Sequence, residues 1–271
     1  MQAKPNIIIL GCGWLGQQLG QTLASAGYPV YGSRQSEAGL ASLPASIQPL
    51  LLQLPLPELP AQQQTIWQDA WLLCAIPPSA TKRSQTEYLE LLRNVVDLGY
   101  KAGVRGVIHC SSTGVYQGLT GTVSETSVLP QSGKSLLLAE AEQQLQQITP
   151  CVTLRLAGLI GPGRHPASFT AGRVIAGPTM PVNMVHALDI AEFILALLSL
   201  NPTENNCYNL CCPLHPTKEQ FYSSAAAAVG LPAPAFVETQ EQARQVSAFY
   251  SQTLAGFHYR FDSPLAALPY C

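Results

Sequence analysis

Near the start of the chain stands the run Ile7-Ile8-Ile9-Leu10-Gly11-Cys12-Gly13-Trp14-Leu15-Gly16, in which four apolar residues enter a G-x-G-x-x-G loop. In such a loop Gly11 allows a tight turn from strand to helix, Gly13 lets the backbone approach a pyrophosphate, and Gly16 permits close packing of helix on strand. The pyrophosphate would lie against free N–H groups at the helix N-terminus, where the backbone dipole favours negative charge. The run therefore predicts a strand, a dinucleotide-binding loop and a helix.

A helical repeat follows the loop, since Leu15, Leu19 and Leu23 recur every four residues until Gly27. That spacing is typical of a helix with one buried face. The alternative is a glycine-rich turn without a ligand, but the complete strand, loop and helix context favours the dinucleotide site.

Composition sets the broad class of the protein. Of its 271 residues, 47% are hydrophobic and 11% charged, which excludes a disordered chain, and the net charge of −2 gives no attraction to nucleic acid or anionic membranes. The N-terminus lacks the pattern of a signal peptide, and no segment has the length of a membrane span. We expect a soluble cytoplasmic protein whose partner is a small molecule, with neither nucleic acid nor membrane.

The eight cysteines form no C-x-x-C pair and have no histidine partner at zinc-finger spacing. We therefore expect buried, reduced thiols rather than a metal site or a disulfide framework.

Apolar runs alternate with helical patterns along the chain. Expected strands are Ile7 to Leu10, Pro29 to Gly32, Leu50 to Leu54, Ala70 to Ala75, Gly106 to Cys110 and Val152 to Leu156, and expected helices are Leu15 to Ala26, Thr86 to Lys101, Ser135 to Gln147, Ala187 to Leu200 and Thr217 to Val229. This alternation predicts an α/β fold, a doubly wound parallel Rossmann sheet that binds ligands beyond the carboxyl ends of its strands. Residues 1–160 would form the NAD(P)-binding domain, with 186–212 returning to it, and residues 161–185 and 213–271 a small C-terminal substrate lobe.

The end of the second strand distinguishes the two nicotinamide cofactors, because an acidic residue there would bind the adenosine ribose hydroxyls. The chain has Ser33 and Arg34 instead. A guanidinium can pair with a 2′-phosphate and a serine can donate to it, so NADP is favoured over NAD. The alternative for Arg34 is an ordinary surface arginine.

Further motifs resemble one family over nearly the whole chain. They are Gly11 to Gly16, Ser111-Ser112-Thr113-Gly114-Val115-Tyr116, Arg155 to Arg164, Val185-His186-Ala187-Leu188-Asp189-Ile190-Ala191 and Tyr208-Asn209-Leu210. Together they resemble the extended short-chain dehydrogenase/reductases, the group with NAD(P)-dependent nucleotide-sugar epimerases and dehydratases. The resemblance implies a nucleotide-sugar-like substrate. It also implies a homodimer, for which the apolar helix from Ser135 to Gln147 is a candidate interface, although packing inside the protein explains the same apolar residues. It also implies cofactor contacts from Trp14, Leu15, Ala75, Ile76, Pro77 and Ser111.

The resemblance assigns the catalytic hydroxyl to Thr113, which would hydrogen-bond the reacting oxygen of the substrate, although a threonine here can also be a simple cap. Tyr116 would pack beside the site without a catalytic role. Arg164, at the end of the matched loop from Arg155, and Arg173 further along the chain are candidates for binding an anionic substrate, or else pair with surface carboxylates. His186 would position a strand-to-helix turn, and Asp189 would lie in the first turn of the helix.

The acid/base pair of the family, Tyr-x-x-x-Lys, is missing. Aligning the family motif with residues 132–140 places Ser132 where the tyrosine belongs and Leu136 where the lysine belongs. The lysine of the family also hydrogen-bonds the nicotinamide ribose, a contact that leucine removes. Lys134 lies two residues along the helix, about 200° around it, and is expected on the opposite face.

Three functions remain open. The first is a redox enzyme or epimerase/dehydratase with an altered acid/base set around Thr113. The second is a non-catalytic NADP(H)-binding sensor or regulator that lost the chemistry, and the third is a silent scaffold without nucleotide.

Overall fold

The computed structural model describes residues 3–78 and 84–271. The strands are β1 (Ile7–Leu10), β2 (Val30–Arg34), β3 (Gln48–Leu51), β4 (Trp71–Cys74), β5 (Gly106–Ser112), β6 (Gly121–Val123), β7 (Cys151–Leu156), β8 (Gly158–Ile160), β9 (Val174–Ala176), β10 (Met184–His186), β11 (Asn206–Leu210), β12 (Ala235–Val237) and β13 (Arg244–Val246). The helices are α1 (Trp14–Ser25), α2 (Glu37–Leu40), α3 (Ala61–Trp67), α4 (Gln85–Ala102), α5 (Gly133–Leu145), α6 (Ala167–Thr170), α7 (Ala187–Leu200), α8 (Lys218–Ala228), α9 (Phe249–Gln252) and α10 (Pro264–Ala267), with 3-10 helices at Thr113–Tyr116 and Leu268–Tyr270.

Seven parallel strands form the central sheet in the order β3-β2-β1-β4-β5-β7-β11. The chain builds outward from β1 to β3, returns to β4, and continues in the other direction. The expected doubly wound parallel sheet is confirmed. The reversal between β1 and β4 is the switch point at which such sheets bind ligands.

Both faces of the sheet are covered, which explains the unbroken apolar run of β1. Ile7 and Ile9 belong to the core on one face, and Ile8 and Leu10 to the core on the other. All four are fully buried. Neighbouring strand residues point to opposite faces, so a strand between two helical layers needs apolar residues at every position.

Single-sequence patterns missed the edges of the sheet and the short strands. β3 spans Gln48–Leu51 rather than Leu50 to Leu54, and β11 is an additional strand at the far edge. The first three residues of β11 are exposed or half-buried, so it lacks an apolar run. The three two-stranded sheets have strands of three residues, too short to show a period.

A third, smaller core lies outside the sheet and contains Ile160, Val182, Phe221 and Phe261 among its buried residues. His186 packs against this core, with its ring 4.8 Å from that of Phe261. The His186 Nδ1 accepts a hydrogen bond from Leu188 N at 3.1 Å, so Nε2 carries the proton and donates to Tyr270 O at 3.1 Å. This is the structural role expected for His186. The domain boundaries stay a prediction.

All eight cysteines are free thiols. Among residues 3–78 and 84–271, no three His, Cys, Asp or Glu side chains cluster as metal ligands would. Within the same residues, none of the helices combines the length and apolar character that crossing a bilayer requires.

Candidate functional site

A cleft of about 550 Å³ opens beside the glycine loop, at the carboxyl ends of β1, β4 and β5. Its other walls come from the first two turns of α5 and from residues in the segment 156–164. The cleft therefore lies at the switch point of the sheet, and it has the size typical of a small-molecule or cofactor site.

Gly11 and Gly16 have the packing roles that their positions predict. Gly11 has φ +76°, and a Cβ there would lie 3.1 Å from the backbone of Ala75. A Cβ on Gly16 would lie 2.9 Å from Ile9 Cγ2, so helix and strand pack too closely for a side chain. Gly13 differs, because its φ is −78° and the nearest atom to a Cβ, Gly11 O, is 3.8 Å away. Space is thus kept open above Gly13.

The start of α1 faces this space without a side-chain cap. Gly13 is the N-cap residue, and the first turn of the helix contains no acidic residue. Trp14, Leu15 and Gly16 line the cleft together with Gly11 and Gly13. Uncapped N–H groups and the helix dipole suit a bound diphosphate, so the loop fits the pyrophosphate of a dinucleotide.

Ser33 and Arg34 lie at the end of β2, beyond the cleft itself. The Ser33 hydroxyl accepts a hydrogen bond from Gly11 N at 3.1 Å and so braces the loop. Arg34 is partly buried, and its Nε is buried without a hydrogen-bond partner in the described part of the chain. Burial raises the pKa of the Cys12 thiol to about 11, and the charge of nearby Arg34 opposes that shift. A guanidinium with an unpartnered N–H therefore lies beside the loop, as an anion-binding site requires.

Three residues at the end of β4 are expected to contact the cofactor, and two of them reach the cleft. Ala75 and Pro77 line the cleft. Ile76 is buried and is not among the described lining residues, but its carbonyl accepts a hydrogen bond from the Tyr88 hydroxyl at 3.3 Å.

At the end of β5 the structure favours a different hydroxyl from the one predicted. Ser111 and Ser112 line the cleft, whereas Thr113 is 7% exposed, begins a 3-10 helix and is not among the described lining residues. The strand runs on through Ser112, which is partly exposed, and the chain then turns inward. Sequence reasoning missed Ser112, and only the length of β5 could have indicated it.

The face of α5 that meets the cleft is also offset from the expected one. Lys134 and Leu138, one helical turn apart, line the cleft, whereas Ser132 is an exposed N-cap residue and neither it nor Leu136 is among the described lining residues. The expectation that Lys134 points away is wrong. Its side chain lies in the first turn, where Cα–Cβ bonds tilt toward the open end of the helix.

Three side chains converge on Gly114, just beyond β5. Lys134 Cε, Leu138 Cδ1 and Ser112 Oγ each lie 3.2 Å from the point where a Cβ on Gly114 would sit. Ser112 Oγ also accepts a hydrogen bond from Gly114 N at 3.0 Å. One ammonium-bearing side chain and one hydroxyl are thereby placed together on the same side of the cleft.

A buried polar network supports this wall of the cleft. Arg155 Nη2 and Nε donate to Glu142 Oε2 at 2.7 and 3.2 Å, and Ser111 Oγ donates to Glu142 Oε1 at 2.6 Å. Arg155 Nη1 also donates to the Tyr116 hydroxyl at 2.9 Å, which in turn donates to Asn209 Oδ1 at 2.8 Å. Burial raises the pKa of Tyr116 to about 12 against the opposing charge of Arg155. Tyr116 is fully buried and is not among the described lining residues, which agrees with the expected packing position.

Of the two candidate substrate arginines, the structure brings only Arg164 to the cleft. Its guanidinium lies 5.3 Å from the ring of Trp14 and 5.2 Å from that of Phe169. Trp14 Nε1 donates to Pro162 O at 2.8 Å, which fixes the segment against α1. Arg173 is exposed and is not among the described lining residues. The charged residues among the described lining are Lys134 and Arg164, both cations, so the cleft suits an anionic ligand.

Comparison with known proteins finds relatives along nearly the whole chain and solved structures of the same fold. Protein YeeZ of Escherichia coli K12 is 33% identical over 271 residues, covering 96% of this chain and 97% of YeeZ. A functionally unknown conserved protein from Silicibacter pomeroyi is 24% identical, with a TM-score of 0.76 and 98% of both chains covered. The UDP-glucuronic acid 4-epimerase of Bacillus cereus, solved with UDP-glucuronic acid and NAD, is 18% identical, with a TM-score of 0.76 over 98% of this chain and 97% of the epimerase. No protein-family model matches.

Proposed function

The chain belongs to the YeeZ family, and we propose that it is an NADP(H)-dependent oxidoreductase or epimerase/dehydratase acting on a small carbonyl or hydroxyl substrate such as a nucleotide sugar. The observation that carries this proposal is the convergence, in one cleft, of an open glycine loop with Lys134 and Ser112. The epimerase from Bacillus cereus shares the fold and was solved with a nucleotide sugar and NAD, which supports this substrate class.

Arg34 supports NADP rather than NAD. Its buried Nε has no hydrogen-bond partner in the described residues, and its charge acts on Cys12 of the loop. In dinucleotide-binding folds the end of the second strand meets the adenosine ribose, so Arg34 would lie on that side of the diphosphate. A 2′-phosphate would satisfy this group through a charge-assisted hydrogen bond. When bound, the nicotinamide supplies or accepts a hydride at the carbon of the substrate.

The chain's own residues would then act on the substrate oxygen. The Ser112 hydroxyl donates a hydrogen bond to that oxygen, where negative charge develops. The Lys134 ammonium, with three N–H donors and no lone pair, would donate one proton to this oxygen as its carbon is reduced. Lys134 is left as a neutral amine and regains its proton from water. A donor without a lone pair favours the reduction of a carbonyl over the oxidation of an alcohol. Arg164 holds the anionic part of the substrate.

The replaced acid/base pair supports a second candidate function, an NADP(H)-binding sensor without turnover. Leu138 occupies the position one turn after Lys134, and the one tyrosine among the described lining residues, Tyr88, is buried and donates to Ile76 O. The extended short-chain dehydrogenase/reductases use a tyrosine phenol beside a lysine ammonium. No such pair occurs among the described lining residues.

One assay separates these functions. Purified protein is mixed with NADPH and a panel of UDP-4-keto-hexoses, and oxidation is followed at 340 nm, while NADPH binding is measured by fluorescence. Oxidation above background supports the enzyme. Binding without oxidation by any keto-sugar supports the sensor, and folded protein that does not bind NADPH contradicts both.

The coenzyme preference gives a direct prediction. We expect Arg34→Ala to weaken NADPH binding by about 10- to 100-fold, the loss of a charge-assisted hydrogen bond, with little change for NADH. The matched control is Arg93→Ala on an exposed position of α4. Calorimetric titration of each variant measures the effect. Equal affinity of the unaltered protein for NADPH and NADH would refute the role of Arg34.

A further inference from the structure

One polar side chain in the cleft is not used by the proposed function. His109, on β5, lines the cleft and is 1% exposed. Its Nδ1 is buried and has no hydrogen-bond partner among the described residues. Burial lowers the pKa of His109 to about 4, against the opposing charge of Glu142, so the imidazole is neutral at physiological pH. A buried polar atom without a partner destabilises a fold, and such a group needs an explanation.

Ser111 lies two residues further along β5, on the same face of the sheet. Its hydroxyl proton is donated to Glu142 Oε1 at 2.6 Å, so Ser111 Oγ presents lone pairs to the cleft. The nearby lining residues Ala75 and Leu138 are apolar. His109 and Ser111 therefore form a small polar floor beside the apolar side chains of Ala75 and Leu138.

The order of the strands indicates which part of a dinucleotide reaches this floor. Arg34, on β2, lies on one side of the glycine loop, and β4 and β5 lie on the other. Neighbouring strands are about 4.8 Å apart, so β5 is about 10 Å from β1. A dinucleotide with its adenosine ribose near Arg34 and its diphosphate on the loop extends its second nucleoside over β4 and β5.

We propose that His109 and Ser111 hydrogen-bond the hydroxyls of the ribose that carries the nicotinamide. This inference rests on the proposed function. On the α5 side of this floor, Leu138 has no polar atom to offer to a ribose hydroxyl. Ribose hydroxyls both donate and accept, so they suit either tautomer of a neutral imidazole. The χ2 torsion of histidine is broad, which allows the ring to present a nitrogen to the ligand.

The test compares two ligands on His109→Leu. NADPH contains the second ribose, whereas 2′,5′-ADP contains only the adenosine half. We expect the variant to bind NADPH about tenfold more weakly or worse, the loss of one ligand hydrogen bond, and to bind 2′,5′-ADP normally. The apo variant should be at least as thermostable as the unaltered protein, because it no longer buries an unpartnered nitrogen. A purely structural histidine would show the opposite change in stability.

Two further variants complete the design. His109→Gln restores a donor and an acceptor and should recover part of the NADPH affinity. Thr153→Val is the matched control, since Thr153 is fully buried opposite His109 on β7 but is not among the described lining residues. Unchanged NADPH binding in His109→Leu, or an equal loss of affinity for NADPH and 2′,5′-ADP, would overturn this inference and leave the proposed function standing. Failure of the unaltered protein to bind NADPH would instead refute the proposed function.

Discussion

Replacing Lys134 with methionine is expected to lower kcat for the reduction of a UDP-4-keto-hexose by about 100-fold or more, the usual contribution of a positioned proton donor. NADPH affinity should be nearly unchanged, because the cofactor is held by the glycine loop and by Arg34. Methionine keeps the length and flexibility of the side chain but has no proton to give. Stopped-flow measurement of NADPH oxidation gives the rate, and fluorescence titration gives the affinity.

Two controls sharpen this prediction. Lys101→Met removes an exposed lysine on α4 and should leave kcat unchanged. Lys134→Arg keeps the charge and the N–H donors, but a guanidinium does not release a proton at any ordinary pH. We expect it to be as slow as Lys134→Met. A full rate in Lys134→Arg would mean that charge alone is needed, and a full rate in Lys134→Met would remove Lys134 from the mechanism.

Replacing Glu142 with leucine is expected to destabilise the protein by about 3–5 kcal/mol, the cost of leaving one partner of a buried ion pair uncompensated. Glu142 and Arg155 are 4% and 7% exposed, and their closest atoms are 2.7 Å apart. Burial works against the charge of Arg155, but hydrogen bonds and charge from Glu142 outweigh it and raise the pKa of the guanidinium. Denaturant unfolding followed by circular dichroism measures the loss.

The double variant Glu142→Leu/Arg155→Met distinguishes a broken ion pair from a general packing defect. Replacing both partners with apolar side chains of similar volume removes the uncompensated charge, so the double variant should recover most of the lost stability. If the free energy of unfolding of Glu142→Leu falls by less than about 1 kcal/mol, the pair behaves like an exposed ion pair. The buried network would then not support the wall of the cleft.

The elements that could be predicted from the sequence are those with a strong local signal. The run Ile7 to Gly16 contains the strand, the loop and the start of α1, and its apolar residues and glycine spacing mark them locally, although the contact that excludes a side chain at Gly11 comes from distant Ala75. The buried strands β4, β5 and β7 show as apolar runs for the same reason. The central sheet, and the place of the cleft within it, follow from these patterns and from the rules of parallel sheets.

The rotation of α5 could not be predicted, because distant contacts determine it. Glu142 points to Arg155 on β7, and the Ser135 hydroxyl donates to Val115 O beyond the end of β5. These contacts turn Lys134 and Leu138 toward the cleft. The alignment to a short family motif places the acid/base positions at Ser132 and Leu136. These lie two residues before Lys134 and Leu138, which on a helix is the opposite face.

Distant contacts also determine which hydroxyl at the end of β5 and which arginine reach the cleft. Whether β5 ends before or after Ser112 decides which side chain meets the cleft, and strand ends depend on pairing with β7 rather than on the local sequence. Arg164 is held by Trp14, 150 residues earlier in the chain, and Arg173 has no such contact among the described residues. Thr113 and Arg173 stay predictions that the geometry does not favour.

The central claim, that the glycine loop binds the diphosphate of NADP(H), is tested most directly by calorimetric titration of Gly13→Glu with NADPH. A side chain at Gly13 fits the fold, since φ is −78° and the nearest atom to a Cβ is 3.8 Å away, so the thermal stability should not fall. The carboxylate would occupy and repel the position of the diphosphate. We predict that the unaltered protein binds one NADPH per chain and that the stable variant binds none; equal binding by both, or no binding by the unaltered protein, would contradict the claim.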